Sequence, residues 1–535
     1  MEHLFDLLWK NGESGIYPYH MPGHKRNACG SLPKEMYLRD ITEIDGFDNL
    51  HQPESILLDL QKEAAALYGA EESFYLVNGS TGGILSAVSA ALSQGGHLLM
   101  ARNCHKSAYH AAYLRTLTIS YLYPQVLKEY DIFDAVSREQ VQRALEREPD
   151  IGAVLIVSPT YEGRISPIRE IAELVHAKGI PLIVDEAHGA HLGLCEGSIS
   201  NSCQAGADLV IHSVHKTLPS LTQTALLHVN GNLIDRERLR RFLHIYQSSS
   251  PSYLLMAGID NALTFMKSEE GKRQFAQFCI RWEKMLGELE SCRHLHFLRD
   301  ERTRQDIGKL VISVKGTNVS GKWLYETLLN QYRLQMEMAG ESYVLAMFTV
   351  NDTEEGYRRL TGALLEIDSQ LEEAAERTAK EAQEKAQEEA AERTAKEAQE
   401  EAAERTAKKA QEEAAERTAK EAQEKAAERT AREAQEEAAE RTARETVEKA
   451  SEKTGAIPLA VAWNGKKEER LLENSVGCYA GEFINLYPPG VPVLVPGEQI
   501  TGEICENIRK WQEQGLCVQG IIQKGEELWV PVLKK

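Results

Sequence analysis

The sequence has no C-x-x-C pair, no run of about twenty apolar residues and no surplus of basic charge, and each absence excludes a class of protein. Nine cysteines, at Cys29, Cys104, Cys195, Cys203, Cys279, Cys292, Cys478, Cys505 and Cys517, are scattered and odd in number. That pattern fits reduced thiols in the cytosol, and neither a disulfide framework nor a zinc site. Without a spanning run, no helix is expected to cross a bilayer. Lys and Arg total 61 against 81 Asp and Glu, a formal net charge of −20. A nucleic-acid surface needs clustered basic residues, so none is expected here, whereas a small cationic ligand would be attracted. The opening Met1-Glu-His-Leu-Phe-Asp has an early acid and only a short apolar run, unlike a secretory or organelle-targeting segment. The expected location is cytoplasmic.

What is present suits a soluble chain of several units. Of 535 residues, 42% are apolar and 27% charged, close to ordinary globular values. Residues 1–54 read as an irregular arm rich in Gly, Pro and His, lying against something larger. From 55 to 290 short β-branched and aromatic runs at 72–78, 97–102, 153–158, 181–186 and 208–214 alternate with helical stretches, and 233–290 reads as long helices. This alternation predicts an α/β domain with a mainly parallel sheet covered by helices. A smaller α+β domain follows over 291–370, with strands near 309–314 and 343–350. Residues 453–535 form a C-terminal domain that includes the dense Pro-Gly segment Tyr487 to Glu498.

Between them, 371–452 is a charged insertion in which Ala-Ala-Glu-Arg units begin at 374, 390, 402, 414, 426 and 438. A twelve-residue period advances about 120° beyond whole turns at ~100° per residue, so no apolar stripe persists and no coiled-coil seam is expected. Strong helix formers and i,i+4 pairs such as Glu376 with Lys380 and Arg377 with Glu381 predict a solvated single helix or a helix–coil mixture. Its simplest role is that of a spacer.

The chemistry centres on Asp185 and Lys216, at the ends of successive predicted strands, and on Asn78-Gly-Ser-Thr-Gly-Gly83 at a strand-to-helix turn. Lysine condenses with aldehydes, and a carboxylate beside a pyridine nitrogen keeps that nitrogen protonated. A Gly-rich turn opening a helix offers N–H groups and the positive end of the helix dipole to a phosphate. All three fall where open α/β sheets gather ligands. Together they predict a pyridoxal phosphate site.

Several motifs share the order of a known family. They are His20-Met-Pro-Gly-His-Lys25, Asp40 to His51, the Asn78 turn, His105-Lys-Ser, Ser158-Pro-Thr-Tyr-Glu-Gly163, Val184 to His191, Ser213 to Leu218, Leu221-Thr-Gln-Thr and Tyr487 to Glu498. On these the chain resembles the ornithine/lysine/arginine decarboxylases, fold-type-I pyridoxal enzymes, in a short form without an N-terminal receiver-like domain. The resemblance implies that Lys216 holds the cofactor, Asp185 faces its ring nitrogen and His105 stacks on the ring. It places Ser80, Thr81, Ser213 and His215 about the phosphate and His188 beside the reacting centre. Ser249, in Ser248-Ser-Ser-Pro-Ser-Tyr253, would be lent by a partner subunit. A homodimer or larger homo-oligomer with sites at the interface is therefore implied. Glu498 and Asp48 are the candidate acids for the substrate's distal cation.

The activity so implied is decarboxylation of lysine, arginine or ornithine to the corresponding di- or polyamine precursor and carbon dioxide, with Lys216 or His188 returning a proton to Cα. The alternatives are an aminotransferase or other lyase on the same fold, or a scaffold acting through the 371–450 helix. The intact Lys216, Asp185 and phosphate turn speak against the scaffold. Gly316 to Lys322 nearly matches a P-loop, but Trp323 stands where a magnesium-binding hydroxyl belongs, so the segment reads as a strand-to-helix joint. The pairs His188/His191 and His212/His215 lack a third metal ligand nearby, and no metal is expected.

Overall fold

The computed structural model describes residues 3–27, 32–195, 197–300, 304–407, 457–487 and 490–534. Among the strand-forming runs, β1 (Glu72–Leu76), β2 (His97–Ala101), β3 (Thr118–Leu122), β4 (Ala153–Val157), β5 (Leu182–Asp185), β6 (Leu209–His212) and β7 (Ala225–Val229) form one sheet in the order β1-β7-β6-β5-β4-β2-β3. The β2/β3, β2/β4, β4/β5 and β5/β6 pairings are parallel, while β7 runs against both its neighbours. Strands β4 to β6 are buried almost throughout, as expected of parallel strands covered on both faces, so they read as continuous apolar runs. The helix Gly79–Ala91 lies close on this sheet because Gly83 has no side chain. A Cβ there would stand 2.7 Å from Leu76 and 3.0 Å from Ile211.

The smaller sheet, in the order His296–Phe297, Lys309–Ser313, Tyr343–Met347, Met338–Ala339, is antiparallel. The Gly316 to Lys322 segment joins its second strand to the helix Gly321–Asn330, where the Ser320 hydroxyl caps the Trp323 N–H at 3.1 Å. The C-terminal residues build two three-stranded sheets around Leu472, Ile484, Ile508, Val530 and Val532. Leu459, Phe483 and Val495 instead join the core of the large sheet.

The first fifty residues are more ordered than the sequence suggests. Leu4–Glu13 is a helix whose Leu4 and Leu8 are fully buried, each contributing roughly 1.5–3 kcal/mol. Its first turn is fixed by Asp260, which accepts the Leu4 N–H at 2.8 Å. A second helix spans Lys34–Arg39, and Arg39 covers the Trp9 ring at 3.6 Å.

The chain divides into two compact units, Met1–Asp368 with Ile457–Lys535, and Ser369–Ala456. The first ends in a helix that begins at Glu354 and runs on to Ala407; within the first unit it buries Tyr357, Leu360, Leu364 and Ile367 at helical spacing. In the second unit the backbone is helical up to Ala407 and residues 375–387 are exposed, as a solvated charged helix requires. There Arg377 pairs with Glu373 at 3.8 Å. The rest of the repeat, from 408, lies outside the described residues, as does Cys29. Among the described residues no helix is long and apolar enough to cross a membrane.

Candidate active site

Strands β1, β5 and β6 bring the chemistry to one end of the sheet. β5 ends in Asp185; β6 passes through Ser213 into the one-turn helix Val214–Thr217, which carries Lys216; β1 leads to Asn78 and the helix Gly79–Ala91. Asp185 is buried, and its Oδ1 accepts the Ala187 N–H at 3.2 Å. Burial pushes its carboxyl above the usual range, partly offset by Lys216. Burial also lowers the Lys216 amine, against the pull of Asp185 and Glu337.

His188 sits between two amines. Its Nε2 lies 3.0 Å from Lys216 Nζ and its Nδ1 2.9 Å from Lys309 Nζ. Burial, reinforced by those two lysines, holds the imidazole neutral. The Tyr161 ring meets it edge-on, centroids 4.7 Å apart, and the Tyr161 hydroxyl donates to Glu337. His105 caps the helix Lys106–Leu114, its Nδ1 accepting the Ser107 N–H at 3.2 Å. That bond fixes the ring and leaves the proton on Nε2. Burial and Lys216 push its pKa down to about 4.

Ser80 and Thr81 occupy the first turn of Gly79–Ala91, where helix geometry leaves N–H groups without intrahelical partners. The Ser213 hydroxyl is buried with no hydrogen-bond partner among the described residues. His215 Nδ1 donates to the Thr224 carbonyl at 2.8 Å. Ser249 lies in the exposed stretch 248–250, and His51 Nε2 lies 2.8 Å from the Ser248 carbonyl.

The two acids expected to meet the substrate's distal cation are otherwise engaged. Glu498 Oε2 accepts from Arg102 at 3.0 Å and from the Val495 N–H at 2.9 Å, so its charge ties the C-terminal segment to the end of β2. The same segment reaches the site through Gly490 instead, where a Cβ would stand 3.7 Å from the His105 ring; Pro488 and Pro489 lie outside the described residues. Asp48, in a left-handed turn at φ +64°, accepts the N–H groups of Asn49, Glu54, Ser55 and Leu57 at 2.9–3.0 Å. Partial burial pushes its carboxyl up, but these four bonds carry it below the usual range. Asp48 therefore nucleates the turn into the helix Ile56–Tyr68. Asp48→Ala is expected to lower the unfolding free energy by about 1–2 kcal/mol in a denaturant titration, with the order of preference among basic amino acids unchanged.

Sequence reasoning missed Lys309, Tyr161 and Glu337. Tyr161 was inside a quoted motif, but nothing local marked Lys309 or Glu337.

The pattern describing the Orn/Lys/Arg decarboxylase major domain matches residues 3–317. The chain belongs to the Orn/Lys/Arg decarboxylase family. Its relatives in this family include arginine decarboxylase of Bacillus subtilis, 28% identical over 97% of this chain and 95% of that protein. The uncharacterized protein YaaO of the same organism is 31% identical over 69% of this chain and 78% of that protein. Lysine decarboxylase LdcF of Francisella novicida has the same fold, with a TM-score of 0.74 at 17% identity over 99% of this chain and 81% of that one. The expected fold class and the expected enzyme class, a decarboxylase, both stand on these matches, and basic amino acids are the family's substrates.

Proposed function

We propose that this decarboxylase uses pyridoxal phosphate bound at Lys216 to release carbon dioxide from a basic amino acid, with arginine the first candidate. The arrangement of Asp185 and Lys216 at the ends of neighbouring parallel strands, with neutral His188 against the lysine, carries the reading. The curated relatives matched over 97% of the chain and named for a substrate are arginine decarboxylases, which supports the choice of arginine.

The residues fit this cofactor. A buried carboxylate with one N–H partner suits a protonated ring nitrogen, and a buried, unpartnered Ser213 hydroxyl beside an open helix N-terminus suits a phosphate. His215, its Nδ1 proton already given to Thr224, would meet a phosphate oxygen through Nε2 only as imidazolium, which the phosphate's own charge favours. When bound, pyridoxal phosphate supplies the electron sink that accepts the pair left behind by carbon dioxide.

The protein's own groups do the rest. Lys216 would hold the cofactor through its amine, and that same amine, once released, is placed to hold a proton near Cα. His188, neutral and hydrogen-bonded to Lys216, holds that amine in place and is the second group able to carry the proton. His105, locked by its cap to Ser107, covers one face of the site and limits water. In place of Glu498 and Asp48, the exposed Glu337, held by the Tyr161 hydroxyl and with its charge felt at Lys216 and Lys309, is the acid suited to a distal cation. The exposure of Ser249 in the single chain supports a partner subunit completing the phosphate site.

Incubation with arginine, lysine and ornithine in turn, with and without added pyridoxal phosphate, tests this reading. Carbon dioxide and the matching amine are expected from one of the three, dependent on the cofactor. Amino-group transfer to a keto acid without carbon dioxide would replace it with the aminotransferase reading.

A further inference from the structure

A line of buried polar side chains crosses the large sheet, and no step of the proposed chemistry uses it. Glu186 follows Asp185 at the end of β5, and its Oε2 lies 2.7 Å from His212 Nε2 on β6. His212 Nδ1 stands 3.0 Å from His228 Nε2 on β7, and His228 Nδ1 stands 2.6 Å from Ser73 Oγ on the edge strand β1. Both imidazoles are fully buried and Glu186 is 2% exposed. The Tyr68 ring covers the two imidazoles, centroids 4.6 and 4.7 Å away, while its hydroxyl donates to the Ala190 carbonyl. Apart from these histidines β6 and β7 are apolar. Polar groups in such a core are costly unless every one is paired, and here each is.

Glu186 is also held from its other side. Ser202 donates its hydroxyl to Oε1 at 2.7 Å, and the Ser202 N–H lies 3.1–3.2 Å from both carboxyl oxygens. The Glu186 carbonyl accepts the Gly189 N–H at 2.8 Å, and a Cβ on Gly189 would stand 2.5 Å from Glu186 Cγ. Glu186 thus pins the turn that carries Asp185 and His188.

The hydrogen count along the line is restrictive, because each of its three bonds holds one proton. If His212 donates from Nε2 to Glu186, its Nδ1 is bare, His228 must donate from Nε2, and Ser73 must donate to His228 Nδ1. If the carboxyl donates to His212, every bond reverses and both rings carry their proton on Nδ1. Burial keeps both rings neutral, so they cannot hold different tautomers. Passing from the second arrangement to the first releases one proton. The carboxyl proton moves to His212, the Nδ1 proton of His212 to His228 and that of His228 to Ser73, whose own hydroxyl proton leaves.

We propose that Glu186 is a positioning residue for the Asp185–His188 turn, and that its proton sets the tautomer of His228 through His212. Besides His212 and Ser202, the groups facing Glu186 are His191, Asp306, Tyr68 and Cys203. Burial outweighs them and pushes the carboxyl up to about 8. Both rings should therefore carry Nδ1–H below that pH and Nε2–H above it. The link to turnover rests on Asp185 and His188 acting as proposed, but the tautomers do not.

Nitrogen NMR of the full chain, with ¹⁵N-labelled histidine and with His212→Gln and His228→Gln to identify the signals, reads both rings. In the wild type both are expected as Nδ1–H at about pH 6.5 and as Nε2–H at about pH 9.5, changing together. Different tautomers on the two rings at either pH overturn the proposal. In Glu186→Gln the amide N–H faces His212 while the amide oxygen keeps Ser202, so both rings should remain Nδ1–H at the higher pH. A His228 tautomer that is the same there in the wild type and in Glu186→Gln also overturns it. Glu186→Ala, which removes both anchors, should lower kcat by about 10–100-fold, and Glu186→Gln should recover most of that loss. An equal loss in both variants, or none in Glu186→Ala, overturns the positioning role. Failure of the wild type to release carbon dioxide from any basic amino acid would defeat the functional reading, and the NMR result would still decide the tautomers.

Discussion

Lys216→Ala is expected to lose carbon dioxide release by at least about 10³-fold and to retain no pyridoxal phosphate after borohydride treatment and desalting. Two roles disappear with one side chain. The amine that bonds the cofactor is gone, and so is one of the two groups able to hold a proton near Cα. The substitution also leaves His188 Nε2 facing an empty space in place of an amine 3.0 Å away. The fold should survive, because Lys216 lies on a one-turn helix at the sheet's end, and the core around it is formed by β5 and β6, whose apolar side chains are unaffected. A circular dichroism melt within about 1 °C of the wild type, which corresponds to roughly 1 kcal/mol for a chain of this size, would separate a chemical defect from a structural one. Turnover near the wild-type rate, or covalent retention of the cofactor, would mean that another lysine does the work. Lys309 is then the first to examine.

The parts of this site that were legible in the sequence are those in which local pattern and chemistry coincide. Asp185 closes the short buried run Leu182–Asp185 and Lys216 follows just after the run Leu209–His212; the β-branched composition of both runs marks strands, and their ends mark ligand positions. The turn from Asn78 to Gly83 announces itself by its glycines, and the charged repeat by its composition. What was not legible depends on partners far along the chain. Helix Leu4–Glu13 has little to signal it except Leu4 and Leu8, and its cap is Asp260, more than 250 residues away. Glu498 looked available for a cation because Arg102, which takes its charge, is 396 positions earlier. Asp48 looked like a free acid because its four N–H partners gather only once the backbone adopts a left-handed turn at that residue. Nothing in the run 309–314 marks Lys309 as buried, and the glycine that makes room for it lies on a different loop.

Asp185→Asn should keep the fold and the Lys216 amine, yet reduce turnover by about 10²–10⁴-fold, the range typical of groups that control a proton in a transition state. The amide has nearly the same shape and can still accept the Ala187 N–H, so the loop after β5 keeps its anchor. What it cannot do is carry the charge that holds a proton on a ring nitrogen. In the protein without cofactor, this carboxylate is costly. It is buried, burial raises its pKa, and its neighbour Lys216 offsets only part of that penalty. Removing that charge should therefore leave the melting temperature of the cofactor-free protein unchanged or higher, while the additional stability gained on loading with pyridoxal phosphate shrinks. These two changes in opposite directions distinguish the role from a packing defect, which would lower both. Near-normal turnover with an undiminished gain on loading would show that Asp185 does not face the ring nitrogen. The buried carboxylate would then have to be explained by its neighbour Lys216 alone.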